Sequence, residues 1–219
     1  MPKKTFLNLP KPKQQQFLKV AFEEFALHEY HQASITRIVN KLGIAKGSIY
    51  QYFENKRDLY FYLLEVAGRM RAKAGEANGN QTPNDFFQFL AENFIKKIHF
   101  DLEHPSISGF LFNVMQEKNS DELGNIQLKT KMQTMEFVRQ LMERFKSSAR
   151  IRKDADEEMI SYYIVQMQWG FYDYLELKYS FNFREKIKEN SPIFDISDDE
   201  IEQVVMRFIQ LLREGIKRN

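Results

Sequence analysis

The stretch ASITRIVNKLGIAKGSIYQYFENKRDLYFYLLE, residues 33–65, decides how the chain reads. Ser34 is a helix-capping residue, and Ile35, Ile38, Val39 and Leu42 follow it at helical spacing until Gly43 ends the element. A second short helix is predicted over 45–53. It buries Ile49 and Phe53, four residues apart, while its other faces carry Lys46, Ser48, Tyr50, Gln51 and Tyr52. Asn55 then caps a longer helix in which Leu59, Leu63, Val66 and Met70 recur at spacings of four, three and four. Two short helices joined by a glycine turn, the second presenting polar groups, make a helix-turn-helix.

An element built only to pack has no use for lysine, serine and tyrosines on so short a helix. In a helix-turn-helix the first helix braces across the DNA backbone, and the second sends its N-terminal side chains into the major groove, which admits one helix. Gly47 removes a side chain where such a helix would meet a phosphate, and Lys46 brings positive charge to the same place. Tyr50 and Tyr52 offer rings to sugars or a thymine methyl and hydroxyls to phosphate. Thr36 sets a hydroxyl at the positive end of the bracing helix.

Outward from this stretch the chain keeps a period of 3.6 and lacks period-two alternation, so the predicted fold is all-α. A helix over 11–30 carries Phe17, Leu18, Ala21, Phe22, Phe25 and Ala26 on one stripe, with Pro12 in its first turn. The polar run GEANGNQTP, residues 75–83, reads as the domain boundary. Further helices are expected near 83–103, 106–118, 122–148, 155–180 and 198–217, with connectors between them. The 155–180 helix is apolar almost all round, with Ile160, Tyr163, Ile164, Met167, Phe171 and Leu175 on one side and Tyr162, Val165, Trp169 and Tyr172 on another, so it needs cover on two faces. Ile201, Val204, Val205, Phe208, Leu211 and Leu212 form a broad stripe on the last helix.

Charge agrees with the helix-turn-helix. The net charge is only +2, yet residues 1–80 hold 13 Lys+Arg against 7 Asp+Glu, and the remainder holds 19 against 23. A basic N-terminal part is the footprint of a polyanion-binding segment. Other chemistries lack their residues. With no cysteine among 219 residues there is no disulfide, thiolate nucleophile or thiolate-bound metal. HEYH at 28–31 does not have the spacing of a zinc protease helix, and GIAKGS at 43–48 has too short a glycine spacing, with Lys46 on the wrong side of Gly47, for a phosphate loop. GxSxG and dinucleotide patterns are missing. No catalytic, metal or cofactor site is therefore expected, and the chain is not expected to be an enzyme. It has no apolar run of eighteen residues, and its first residues, MPKKTFLNLPKPKQQQ, lack a signal-peptide core, so a cytoplasmic protein with no membrane partner is expected.

The ordered residues Gly43, Ala45-Lys46-Gly47-Ser48, Ile49-Tyr50-Gln51-Tyr52-Phe53 and Lys56 strongly resemble the N-terminal DNA-binding region of the TetR family of bacterial transcriptional regulators. The resemblance covers about residues 12–66. It implies that Thr36, Lys46, Ser48, Tyr50, Tyr52 and Lys56 contact DNA, mostly its phosphates, with Gly47 at the close approach. Gln51 becomes the base reader, since its amide matches the edge of adenine. Arg37 stands where many members carry an acidic residue, and either adds a backbone contact or balances local charge.

The same resemblance implies a division into a three-helix DNA-binding domain (1–54), a connecting helix and boundary (55–79), and a larger helical domain for effector binding and dimerisation (80–219). A small apolar or amphipathic effector would sit between the 106–118, 122–148 and 155–180 helices, near Phe112, Met135, Tyr163 and Trp169, with Gln166 and Asp173 as polar anchors. The last two long helices would pair with those of a second copy. Two reading helices about 34 Å apart would then match a palindromic double-stranded operator. The expected protein is a homodimeric repressor released from DNA by its effector. A carrier with a vestigial basic head is the rival, and the intact Lys46, Gly47, Tyr50 and Lys56 speak against it.

Overall fold

A helix lies in every segment that sequence periodicity marks. The computed structural model describes residues 1–219 except 76–84, 146–155, 181–182, 190, 192, 194–195 and 217–219, and no strand occurs among the described residues. The helices are α1 (Lys4–Leu7), α2 (Lys11–Leu27), α3 (Ile35–Leu42), α4 (Lys46–Tyr52), α5 (Lys56–Gly75), α6 (Phe86–Glu103), α7 (Pro105–Gln116), α8 (Ile126–Arg144), α9 (Glu157–Tyr179), α10 (Phe183–Glu189) and α11 (Asp198–Ile216). Two of these, α1 and α10, have no counterpart in the sequence reading. The predicted boundary at 75–83 lies, beyond Gly75, outside the described residues.

Packing divides the chain into two compact units, and neither is continuous in sequence. The first comprises Met1–Ala72, Asp101–Gln127 and Asn182–Ile193. Within it α2 packs on α3, α7 and α10, while α3 and α1 both pack on α4. The apolar stripe of α2 is buried at Phe17, Ala21, Phe22, Phe25 and Ala26, and Leu18 is half-buried. Two aromatic clusters organise this unit. Phe6, Phe17, Tyr52, Phe53 and Tyr62 stand with centroids 5.0–5.9 Å apart. Phe22, Phe25, Tyr30, Tyr60 and Phe110 form the second, mostly edge to face. The second cluster joins α2, α5 and α7, and Gly109 lets α7 come close. A Cβ there would stand 2.3 Å from the Ile187 side chain and 3.2 Å from that of Ala26.

The second unit comprises Lys73–Phe100, Leu128–Phe181 and Phe194–Asn219. Its core holds Phe86, Phe94 and Ile98 of α6, Ile164, Val165, Phe171 and Leu175 of α9, and Ile201 and Val205 of α11. Phe171 meets Phe94 at 4.7 Å and Phe208 at 5.5 Å. Helix α9 is covered on one side only. Its buried stripe draws on both predicted sides (Ile160, Ile164, Val165, Phe171, Tyr172 and Leu175), whereas Met159, Tyr162, Tyr163 and Leu177 are exposed. The stripe on α11 shifts likewise, with Ile209 turned inward and Leu211 left 71% exposed.

Candidate nucleic-acid interface

The turn between α3 and α4 follows from one glycine. Gly43 lies in the left-handed region (φ 65°, ψ 28°), which a residue with a Cβ enters at a cost. From there its amide reaches the Asn40 carbonyl at 3.1 Å and the Ile44 amide reaches that of Val39 at 3.1 Å, closing α3 with a Schellman motif. At the other end the Ser34 hydroxyl accepts from the Arg37 amide.

Helix α4 is pinned from below by Ile49 and by Phe53 just beyond its end, 2% and 1% exposed. Spacing by four places these two on one side, so Lys46, Gly47, Tyr50 and Gln51 stand on the other, and all four are exposed. A Cβ at Gly47 would meet nothing within 4 Å. Packing therefore does not ask for glycine there. The exposed face thus combines a cation, bare backbone, a phenol and an amide, the groups that meet phosphate, sugar and a base edge. Thr36, on α3, is exposed as well.

Of the remaining predicted DNA residues three are turned partly inward, and Arg37 is exposed but bound by other groups of the chain. Ser48 is half-buried. Tyr52 is also half-buried, with its ring 5.9 Å from those of Phe6 and Phe17. The Arg37 guanidinium donates to Glu24 at 2.6 Å and to the Gln32 carbonyl at 2.7 Å. Glu24 also accepts from the Ser34 amide at 2.7 Å, so one buried carboxylate ties α2 to the start of α3. Its hydrogen bond raises the already high pKa of Arg37. Of the two readings of Arg37, this geometry is the one that balances local charge. Lys56 donates to the carbonyls of Tyr30 (2.8 Å) and Ala33 (3.4 Å), with its ammonium 4.3 Å from the Tyr30 ring centroid. It holds the loop that leads into α3.

That loop is fixed from several directions, and sequence motifs announce none of the partners. Asn113 of α7 donates to the carbonyls of Phe25 and Ala26 at 2.8 and 2.9 Å, satisfying groups at the end of α2 that have no intrahelical donor. The Tyr30 amide donates to Glu117, whose pKa burial raises above the ordinary carboxylate value. Burial likewise pushes the Tyr30 and Tyr60 phenols up. Arg184 of α10 pairs with Glu29 at 3.1 Å.

The residues expected to meet an effector belong to both units and differ in exposure. Phe112 is half-buried in the first unit. In the second unit Met135, Gln166 and Trp169 are half-buried, while Tyr163 and Asp173 are exposed. The Lys131 ammonium lies 4.7 Å from the Trp169 ring centroid. The Gln166 Oε1 atom is buried without a hydrogen-bond donor among the described residues. A group of His, Asp and Glu suited to a metal is also missing among the described residues.

The family profile of bacterial regulatory proteins of the tetR family matches residues 17–63. The fatty acid metabolism regulator protein of Bacillus subtilis (strain 168) is 38% identical over 55 residues, which is 25% of this chain and 28% of that protein. Among solved structures, a TetR family transcriptional regulator from Chloroflexus aurantiacus J-10-FL superposes with a TM-score of 0.77 at 24% identity, over 100% of both chains. The regulator FadR from Bacillus subtilis in complex with stearoyl-CoA does so with a TM-score of 0.69 at 17% identity, over 92% of this chain and 98% of that one. At these identities the structural likeness establishes the fold, and the helix-turn-helix segment carries the kinship. The likeness to bacterial regulatory proteins of the tetR family is thus one of sequence in residues 17–63 and one of fold over the rest.

Proposed function

We propose that the protein is a homodimeric repressor that binds a palindromic operator through α4 and is released from it by a small apolar or amphipathic effector. The observation that carries the DNA-binding part is the exposed face of Lys46, Gly47, Tyr50 and Gln51 above the buried Ile49 and Phe53. In this reading Lys46, Tyr50 and Thr36 take phosphates, Gly47 allows the close approach, and Gln51 reads a base. Ser48 and Tyr52 contribute their outward edges. Dimerisation is supported by the uncovered side of α9, where Met159, Tyr162, Tyr163, Tyr174 and Leu177 recur at helical spacing around the open Gly170.

The effector reading rests on the second unit, where an aromatic ring, a flexible Met and an unsatisfied amide oxygen occur together in the sequence of α8 and α9. That the FadR neighbour holds stearoyl-CoA makes a long-chain acyl thioester the first probe to try. Helix α5 is the expected lever, because its residues belong to both units. An effector that prefers the DNA-incompetent arrangement by ~1.4 kcal/mol lowers operator affinity tenfold. The test is selection of bound duplexes from a random pool, repeated with acyl-CoA and a metabolite library. A palindrome recovered from the pool and released on ligand addition is expected, and a pool that stays random removes the operator reading.

A further inference from the structure

The geometry points to residues 1–9 as a splint for the reading helix, with Lys3 and Thr5 as positioning residues that fix the C-terminal end of α4 without touching DNA. The inference rests on α4 being the DNA-reading helix. Helix α4 is seven residues long, well below the length at which a helix persists by itself. The last carbonyls of any helix lack an intrahelical donor. Here the Ile49 carbonyl is met by the Phe53 amide at 2.8 Å, leaving those of Tyr50, Gln51 and Tyr52. All three are met from the N-terminal segment. The Lys3 amide donates to Tyr52 at 2.8 Å, the Lys3 ammonium to Tyr50 at 2.9 Å, and the Thr5 hydroxyl to Gln51.

The segment is itself anchored within α1 and just beyond it. Phe6 is fully buried between α2, α4 and α5, against Phe17, Tyr52, Phe53 and Tyr62. Beyond it the buried Gln14 donates to the carbonyls of Leu7 and Leu9 at 3.0 and 2.8 Å. The three donors therefore approach α4 from an ordered support. The ammonium of Lys3 also meets the negative end of the helix dipole. Tyr50 and Gln51, whose carbonyls are held, are the same residues whose side chains face outward. Fixing their backbone fixes where those side chains point, and a displacement of about 1 Å is enough to spoil a bidentate contact with a base.

Exposed lysine near a DNA-reading helix would ordinarily be counted as a phosphate ligand, and salt separates the two roles. Removing one phosphate ligand lowers the salt slope of binding by ~1, whereas misplacing a helix lowers affinity for the chosen sequence and leaves the number of released counterions unchanged. The test uses the full chain, the duplex selected from a random pool, and a scrambled duplex. Lys3→Ala and Thr5→Ala are each expected to weaken specific binding about five-fold, in line with the loss of one net hydrogen bond. Binding to the scrambled duplex and the salt slope should be unchanged, and Thr5→Ser should restore the affinity. Unchanged specific affinity in both alanine variants overturns the inference, and so does a salt slope reduced by ~1 in Lys3→Ala. If Thr5→Ala melts early, Lys3→Ala and Thr5→Ser decide alone. Failure of the unaltered protein to prefer any duplex would instead fault the reading of α4, before any variant is compared.

Discussion

Helices α4 and α9 both leave aromatic surface exposed, and the company those rings keep separates the two. On α4, Tyr50 stands 48% exposed beside Lys46, Gly47 and Gln51. On α9, Tyr162 and Tyr163 are 49% and 60% exposed and recur along one face with Met159, Tyr174 and Leu177. A tyrosine among cations, amides and bare backbone suits a charged, hydrogen-bonding partner. A tyrosine in an apolar stripe suits another apolar stripe. Exposure alone therefore does not name a ligand, and the neighbours of the exposed ring do.

The most forceful way to break this comparison is to charge the α9 face. Replacing Tyr163 and Leu177 together by Asp leaves the buried side of the helix intact, so the unfolding free energy per chain should move by less than about 1 kcal/mol. If the face pairs with a second copy, two desolvated carboxylates facing an apolar surface should weaken self-association about a hundred-fold. Sedimentation equilibrium of the variant and the parent reads this directly. An unaltered association constant would show that α9 lies outside the dimer contact.

A smaller effect tests the α4 side, by setting two lysines of one motif against each other. Lys46→Ala should lower the salt slope of operator binding by ~1 and affinity about ten-fold at moderate salt. Lys56→Ala should leave the slope alone, because its ammonium is held by the carbonyls of Tyr30 and Ala33. Its cost should appear in thermal stability, at about 1.5 kcal/mol, the low end for hydrogen bonds to a charged group, because the place is only half-buried. Titrations at four salt concentrations beside a melting curve separate the outcomes, and equal reductions in slope would return Lys56 to the phosphate contacts.

These two lysines also show how far the sequence could be read. The helix-turn-helix was legible because each of its requirements is local. Gly43 answers a backbone angle, Ile49 and Phe53 answer a spacing of four, and Ser34 answers a helix start. Lys56 and Arg37 were not legible, since their partners are 26 and 13 residues away and nothing local distinguishes a held cation from a free one. Short helices escaped for a related reason. The four residues of α1 and the seven of α10 are too few to establish a period, and both are held by tertiary contacts instead. On α9 the period was strong, but apolar residues ran all round it. Periodicity gave the helix and left open which side its neighbours would cover.

The smallest expected effect concerns pH and the loop that precedes α3. Glu117 accepts from the Tyr30 amide, near His31, Glu29 and Lys56, and burial nevertheless keeps its pKa above the ordinary carboxylate value. The folded chain thus holds this proton more tightly than the unfolded chain does. Stability should fall as pH rises from the ordinary carboxylate value through the raised one, because over that window the folded state binds more protons. Glu117→Gln keeps an acceptor for Tyr30 and removes the ionisation. Its unfolding free energy, measured by urea titration at a series of pH values from about 4 to about 7, should therefore lack this descent while the parent keeps it. The sign is the opposite of that for a carboxylate held by a cation, which gains stability over the same interval. Matching profiles for parent and variant would mean that the Tyr30 amide, His31 and Lys56 together just offset burial, and a parent that gains stability over this interval would mean that they outweigh it.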